Sequence, residues 1–294
     1  MTERPDQPVP TSPRSERVRR AAALTGRSAR RKQGRFRVEG PQAVRSLLQH
    51  RPELAREVFT TERGADEHPE LGDLARPAGV PLRVIDEPVL RAMVRENPGG
   101  ADGAAAPGAL VSPQGVVAVA DLPGADPTAA IQALHTLPAA DPVTVVVLHE
   151  VRDPGNVGTL LRTADAAGAD LVLLTRTSAD PYSPKAVRAS VGSLFHLPVL
   201  TEAAMDEVLP ALAEHAITAA ATSGYAAADV FAAELPPRIA WIFGNEAHGL
   251  DEQTLEAAPL AVRIPLAGHA ESLNVHTAAT VCLFETLRRR REGA

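Results

Sequence analysis

Three stretches, each an apolar run that ends in a loop, gather the residue types able to act on a ligand. In HEVRDPGNVGTLLRTADAAGAD (149–170), Asn156 reads as a helix N-cap, with Val157, Leu160, Leu161, Ala164 and Gly168 as the buried stripe behind it. Arg162 falls at the edge of that stripe. A solvated Arg is ordinary there, yet within two turns of a helix N-terminus it is also placed to hold an anion or a hydroxyl. In WIFGNEAHGL (241–250), Gly244 stands where strand becomes loop, and a missing side chain lets a ligand lie against the backbone. Glu246 is open to two readings, a general base or part of the helix entry before LDEQTLEAA. Glu246 and His248 hint at a metal, but two ligands without a third cannot fill a site, so no metal is expected. In AVRIPLAGHAESLNVHTAATVCLFETLRRRREG (261–293), a strand ends at Ile264-Pro265-Leu266 and a Gly-bearing loop follows. Ser272 then opens the last helix as its N-cap, and Asn274 in the first turn faces outward, near the Gly244 loop.

These loops need a scaffold, and the sequence suggests one. From VTVVVLHE onward, short apolar runs of β type alternate with helical patterns: helix 157–168, DLVLLT, helix 184–194, HLPVL, helix 203–215, ITAAAT, IAWIFG, AVRIPL and a last helix from about 272 to 291. Such alternation implies a parallel sheet covered on both faces, with ligands outside the carboxyl ends of its strands. Val275, Ala278, Ala279, Cys282 and Leu287 form the buried face of the last helix, and the arginines at 288–291 complement its C-terminus. Upstream, FRVEGPQAVRSLLQH, REVFTT, PLRVID and QGVVAVADL suggest a small α/β unit. The organisation expected is a disordered basic arm over 1–33, a small α/β domain over 34–122, a linker with a short helix over 123–141 and the α/β domain over 142–294. NPGGADGAAAPGA (97–109) reads as a flexible loop.

Composition narrows the class further. With 294 residues and 45% hydrophobic content, two ordinary cores can be buried. The apolar runs are strand-sized and the N-terminus lacks a signal-peptide core, so no membrane span or secretion is expected and the cytoplasm is the default. Cys282 is the single cysteine, which excludes an intrachain disulfide and a thiolate metal cluster. There is no Walker A string, no G-x-G-x-x-G after a strand, no G-x-S-x-G and no H-E-x-x-H. The net charge of −6 hides an asymmetry, because residues 14–37 carry ten basic side chains against Glu16 alone. A basic arm on an acidic body suits a polyanionic partner, although a solvated tail has the same composition.

Taken together and in order, N-x-G-x-x-x-R (Asn156, Gly158, Arg162), G-N-E-x-x-G-L (244–250) and I-P-x-x-G-x-x-x-S-L-N-V (264–275) resemble the SpoU (TrmH) family of RNA ribose methyltransferases. DPYSPKAVRASVGSLFHLPV (180–199) is similar to the family's stretch between its first and second motifs. FRVEGPQAVRSLL and SPQGVVAV resemble its preceding substrate-binding domain, so the likeness spans roughly 34–290. The resemblance implies a SPOUT-type α/β domain with a C-terminal trefoil knot, a homodimer formed through that domain, and S-adenosylmethionine as methyl donor. It implies that Gly244, Ile264, Leu266 and Leu273 lie at the cofactor. By the same token Asn156, Glu246, Ser272 and Asn274 shape the site, and Arg162, from the facing protomer, assists transfer to a ribose 2′-hydroxyl. The implied partner is structured RNA, ribosomal ahead of transfer RNA. Ala247, where many members carry Gly, and His276-Thr277, where small residues are common, depart from the pattern. Competing expectations are a non-catalytic RNA-binding or ribosome-assembly factor on the same scaffold, and an antibiotic-resistance rRNA methyltransferase.

Overall fold

Runs of β-branched and small apolar residues become strands in two separate sheets of a computed structural model, which describes residues 9–95, 114–124, 126 and 128–292. The chain divides into one unit of residues 1–123 plus 182–195 and a second of 124–181 plus 196–294.

In the first unit the strands are β1 (Arg35–Glu39), β2 (Ala55–Thr60), β3 (Leu82–Val84) and β4 (Val116–Asp121), in the order β1-β4-β2-β3. β4 runs antiparallel to both neighbours, whereas β2 and β3 are parallel. Its helices are α1 (Glu16–Ala23), α2 (Arg27–Gln33), α3 (Pro41–His50), α4 (Glu62–Glu67), α5 (Glu70–Ala75) and α6 (Glu87–Val94).

The expected disorder over 1–33 does not hold for the described part of that segment. Residues 16–23 and 27–33 are α1 and α2, because Val18, Ala21 and Leu24 recur at helical spacing and pack with Phe59, Val89, Leu90 and Met93. Ser15 caps α1 by accepting from Val18 N. Charge counting misses this, since the apolar stripe is hidden among arginines. The buried Arg30 binds the carbonyls of Leu24 and Thr25 at 3.0 and 2.6 Å, closing the turn between the two helices. The loop expected at 97–109 lies outside the described residues.

The second unit holds α7 (Ala129–Thr136), β5 (Val143–Leu148), α8 (Pro154–Ala166), β6 (Leu171–Thr175), β7 (Val199–Ala203), α10 (Met205–Glu214), β8 (Thr218–Thr222), β9 (Ala228–Asp229), β10 (Arg238–Phe243), α11 (Glu252–Ala257), β11 (Leu260–Arg263) and α12 (Val275–Glu292). α9 (Pro184–Ser190) belongs with the first unit. The sheet order is β7-β6-β5-β10-β8-β11-β9, parallel throughout the described pairs. Alternation along β10 shows how both faces are covered. Ala240 and Ile242 join the core under α7 and α10, while Trp241 donates its indole N–H to Thr286 of α12 at 3.0 Å.

Ala130 and Leu134 of α7 are buried in that same core, so the expected linker contributes a packed helix. The expected helix 184–194 stops at Ser190, where Val191 and Gly192 take positive φ before a short 3-10 turn, Ser193–Phe195. A Cβ on Gly192 would collide with the Ser46 side chain, which is how closely this segment approaches α3. Phe36 of β1 packs edge-on against Tyr182 at 5.0 Å and stacks near Phe195 at 6.3 Å. The arginines of α12 do more than complement a helix end. Arg288 and Arg289 pair with Glu285, whose carboxyl these guanidiniums hold down at about 2. Arg289 also binds the carbonyls of Val230 and Ala233, and Arg290 that of Pro237 at 2.8 Å. Cys282 is buried, which pushes its thiol up to about 12.

The most buried ion pair, Arg37–Glu39 at 2.6 Å, organises the first unit. Arg37 also donates to the carbonyls of Ala21 and Met93, and Glu39 accepts from Arg188 of α9 at 3.0 Å. Removing one member of such a pair leaves an uncompensated charge in low dielectric. Glu39→Gln is therefore expected to cost about 3 kcal/mol in urea unfolding of the full chain. An unchanged midpoint and slope would show that the carbonyls alone satisfy Arg37.

Candidate active site

Three loops at the carboxyl edge of the second sheet carry the residues singled out from sequence, and one carboxylate joins them. After β5 the chain turns through Glu150, whose φ of +57° is unusual for a side chain with a Cβ. Three contacts hold it there: its N–H donates to Thr175 Oγ1 at 3.0 Å, its C=O accepts from Asn245 Nδ2 at 2.9 Å, and its carboxylate accepts from Thr177 Oγ1 at 3.1 Å. The Thr177 hydroxyl, with help from Arg152 and His149, lowers the pKa of Glu150 against the opposing effect of burial.

α8 begins after Asp153, whose carboxylate accepts from the backbone N–H of Gly155 and Asn156 at 2.6 and 3.0 Å. The N-cap is thus Asp153, and Asn156, expected to cap, lies inside the first turn with its amide free to point elsewhere. That amide donates to Glu246 Oε1 at 3.0 Å and accepts from Asn274 Nδ2 at 3.3 Å. Glu246 further accepts the backbone N–H of Arg152 and Asp153, both at 3.1 Å. Partial burial would raise the Glu246 pKa, but the Asn156 amide and the two backbone donors outweigh it and lower the pKa. A carboxylate so saturated is a poor proton acceptor. Neither reading left open by sequence, a general base or part of the helix entry before LDEQTLEAA, describes this geometry: Asp251 caps α11, and Glu246 instead ties its loop to the entry of α8.

Gly244 has a reason of its own to be glycine. Asn245 and Gly249 exchange both backbone hydrogen bonds, at 3.0 and 2.9 Å, so the loop folds back over position 244. A Cβ there would meet the carbonyl group of Gly249 and come within 2.6 Å of Leu250 N. The chain's own backbone, where sequence reading put a ligand, fills that space. His248 is exposed, 3.8 Å from Glu150. Among the described residues no group of three or more His, Cys, Asp or Glu side chains is disposed to hold a metal.

The third segment forms neither helix nor strand between Arg263 and Val275. Ser272 is exposed and does not cap the last helix. Asn274 does so, its Oδ1 accepting from His276 N at 2.9 Å and its C=O from Ala278 N at 2.9 Å. Ile264 and Leu273 are half-buried, and Leu266 is 39% exposed. This segment therefore presents backbone groups outside any helix or sheet ladder beside partly exposed apolar side chains.

Arg162 is exposed on α8. Its charge acts on His276, which bonds Thr163 Oγ1 through Nε2 at 2.9 Å. Burial first, and then the Arg162 charge, lower the His276 pKa from 6.5. Asp153, Glu150, Asn245 and His276 were not picked out from sequence as site residues. An Asp before Pro at a strand-to-helix turn is a capping signal for the first; the roles of the other three depend on tertiary contacts.

A parallel sheet whose carboxyl edge assembles three ligand-type loops, joined to a smaller α/β unit, defines a two-unit α/β protein built to bind a small molecule at that edge. The SpoU rRNA Methylase family matches residues 143–284, and the RNA 2′-O ribose methyltransferase substrate binding family matches 37–101. The 23S rRNA (guanosine-2′-O-)-methyltransferase RlmB of Bordetella pertussis is 30% identical over 252 residues, 85% of this chain and 96% of that protein. The 23S rRNA (uridine(2479)-2′-O)-methyltransferase of Streptomyces viridochromogenes is 34% identical over 187 residues, 62% of this chain and 63% of that one. The solved SpoU methyltransferase AviRb of Streptomyces viridochromogenes, in complex with AdoMet, superposes with a TM-score of 0.75 at 29% identity, covering 96% of this chain and 100% of that chain. The chain belongs to the SpoU rRNA methylase family.

Two outcomes follow from this geometry. Gly244→Ala should open the Asn245–Gly249 turn and lower the thermal midpoint of the second unit by several degrees, as expected for about 1–3 kcal/mol of overpacking; an unaltered melt would show that the turn can give way. His276 should titrate below 6.5 by NMR, and Arg162→Ala should move its pKa upward, since a nearby positive charge is removed. Because a lowered folded pKa favours the neutral ring, His276 contributes stability above 6.5 that fades as pH falls through the folded pKa.

Proposed function

We propose that this protein transfers a methyl group from S-adenosylmethionine to a ribose 2′-hydroxyl of ribosomal RNA. The observation that carries this reading is the joining of Asn156, Glu246 and Asn274, one from each motif, by hydrogen bonds in a chain of this family. S-adenosylmethionine, when bound, supplies a sulfonium methyl already activated for transfer. The residues fit it: the irregular 264–274 segment offers backbone groups, and Ile264, Leu266 and Leu273 offer apolar surface. Gly244 acts by permitting the turn that walls the pocket.

A 2′-hydroxyl is a poor nucleophile at neutral pH, so positioning and charge stabilisation are what the protein must contribute. The planar guanidinium of Arg162, with its fork of N–H donors, suits a developing alkoxide or an adjacent phosphate. Glu246, Asn156 and Asn274 fix the loops, and Ser272 keeps its hydroxyl on an exposed residue of the third loop. The family reading brings with it a trefoil knot in the second unit and a homodimer whose facing protomer lends Arg162, an exposed side chain. It also points to action in the cytoplasm, and no described helix is long and apolar enough to cross a membrane.

The test is transfer of tritiated methyl to ribosomal RNA, followed by mapping of 2′-O-methyl positions. Arg162→Ala should lose about 100-fold or more in turnover while its affinity for S-adenosylmethionine stays close to that of the unsubstituted protein. RNA binding without any methyl transfer would favour the non-catalytic reading, and methyl on a base nitrogen would overturn the ribose assignment.

A further inference from the structure

The ten cations of residues 14–37 do not share one fate in the fold. Arg30 and Arg37 are buried against carbonyls and Glu39, and Arg17 pairs with Glu57. Arg27 is half-buried, and Arg14, Arg19, Arg20, Arg31, Lys32 and Arg35 are exposed. They stand on a rigid base, because the apolar side of α1 is packed into the core and Gln33 Nε2 donates to Arg20 O at 3.3 Å, joining the last turns of α1 and α2. Arg20 has Glu16 as an exposed partner one turn away, a pairing worth little in water. Beside this face the like charge is crowded. Arg17, its pKa lowered first by burial and then by Arg83 and Arg35, shares the carboxylate of Glu57 with Arg83.

We propose that α1, α2 and the start of β1 form a phosphate-contacting face for RNA, with Arg19, Lys32 and Arg35 at its centre. This rests on the reading of the protein as an rRNA methyltransferase and extends it, since these residues precede the matched family stretch that begins at residue 37. Outside residues 14–37 the chain is acidic enough to outweigh their charge and make the total −6. A polyanion is therefore repelled by much of the surface and steered to this face. An anionic membrane is disfavoured, because an inserting helix needs an exposed apolar side and that of α1 is already buried.

The experiment compares the full-length protein with its R19Q/K32Q/R35Q variant in filter binding to a 23S rRNA transcript across a salt series. The slope of log K against log salt should shrink by about 2 to 3, and affinity near 0.15 M salt should fall about tenfold or more. Affinity for S-adenosylmethionine and the thermal midpoint should not change, and R19K/R35K should retain the original slope. An unchanged slope in the triple variant overturns the proposal, as does binding to phosphatidylglycerol vesicles that depends on these cations while RNA binding does not. If the protein binds RNA through these cations yet transfers no methyl, the enzymatic reading fails and the surface stands.

Discussion

One carboxylate holds the candidate site together. Glu246 reaches from the loop after β10 to two backbone N–H groups and one side-chain amide at the entry to α8, and Asn156 passes the connection on to Asn274 at the start of α12. Charge-assisted bonds of this kind are the strong ones, and three donors on one carboxylate fix its position and its ionised state together. The consequence is a change of role. A residue that chemistry alone would nominate as a base becomes the reason that the other loops have fixed places.

The backbone around it carries matching constraints. Position 244 must lack a Cβ because the Asn245–Gly249 turn lies against it, and Glu150 tolerates a positive φ because its N–H, C=O and carboxylate each have partners. His149 adds a tie between the end of β5 and the start of α11, bonding Asp251 at 2.9 Å while Asp251 caps that helix. Strain of this type persists where surrounding contacts over-determine it. Here those contacts come from β5, β6 and β10 together, so the rigid sheet is what makes the irregular edge possible.

Much of this was legible in the residues. Alternating apolar runs and helical stripes were enough for the parallel sheet, and the site strings fell on loops at its carboxyl edge because strands and glycines mark those junctions. Capping was read less well. Asn156 and Ser272 are both good N-cap types, but Asp153 and Asn274 hold those positions, and propensity alone does not choose between neighbours of similar chemistry. The segment 1–33 was read by charge, and the three apolar residues that dock α1 were outvoted by ten cations. Tyr182–Phe195 was read as part of the second domain by continuity of the chain. Its contacts with β1 and α3 put it in the first unit, which no local pattern could reveal.

The sorting of arginines explains why charge composition is a poor guide by itself. A guanidinium offers five donors on a long apolar stem, so the same residue type can close a turn from inside, as Arg30 does, or anchor a loop through its carbonyls, as Arg289 does. Burial is tolerated where acceptors are supplied: Arg37 has Glu39 and the carbonyls of Ala21 and Met93, and Arg30 has those of Leu24 and Thr25. Cations with such acceptors are committed to the fold. Exposed cations such as Arg19, Lys32 and Arg35 keep their charge at the surface, and the packing of α1, α2 and β1 is what sorts them from the buried ones.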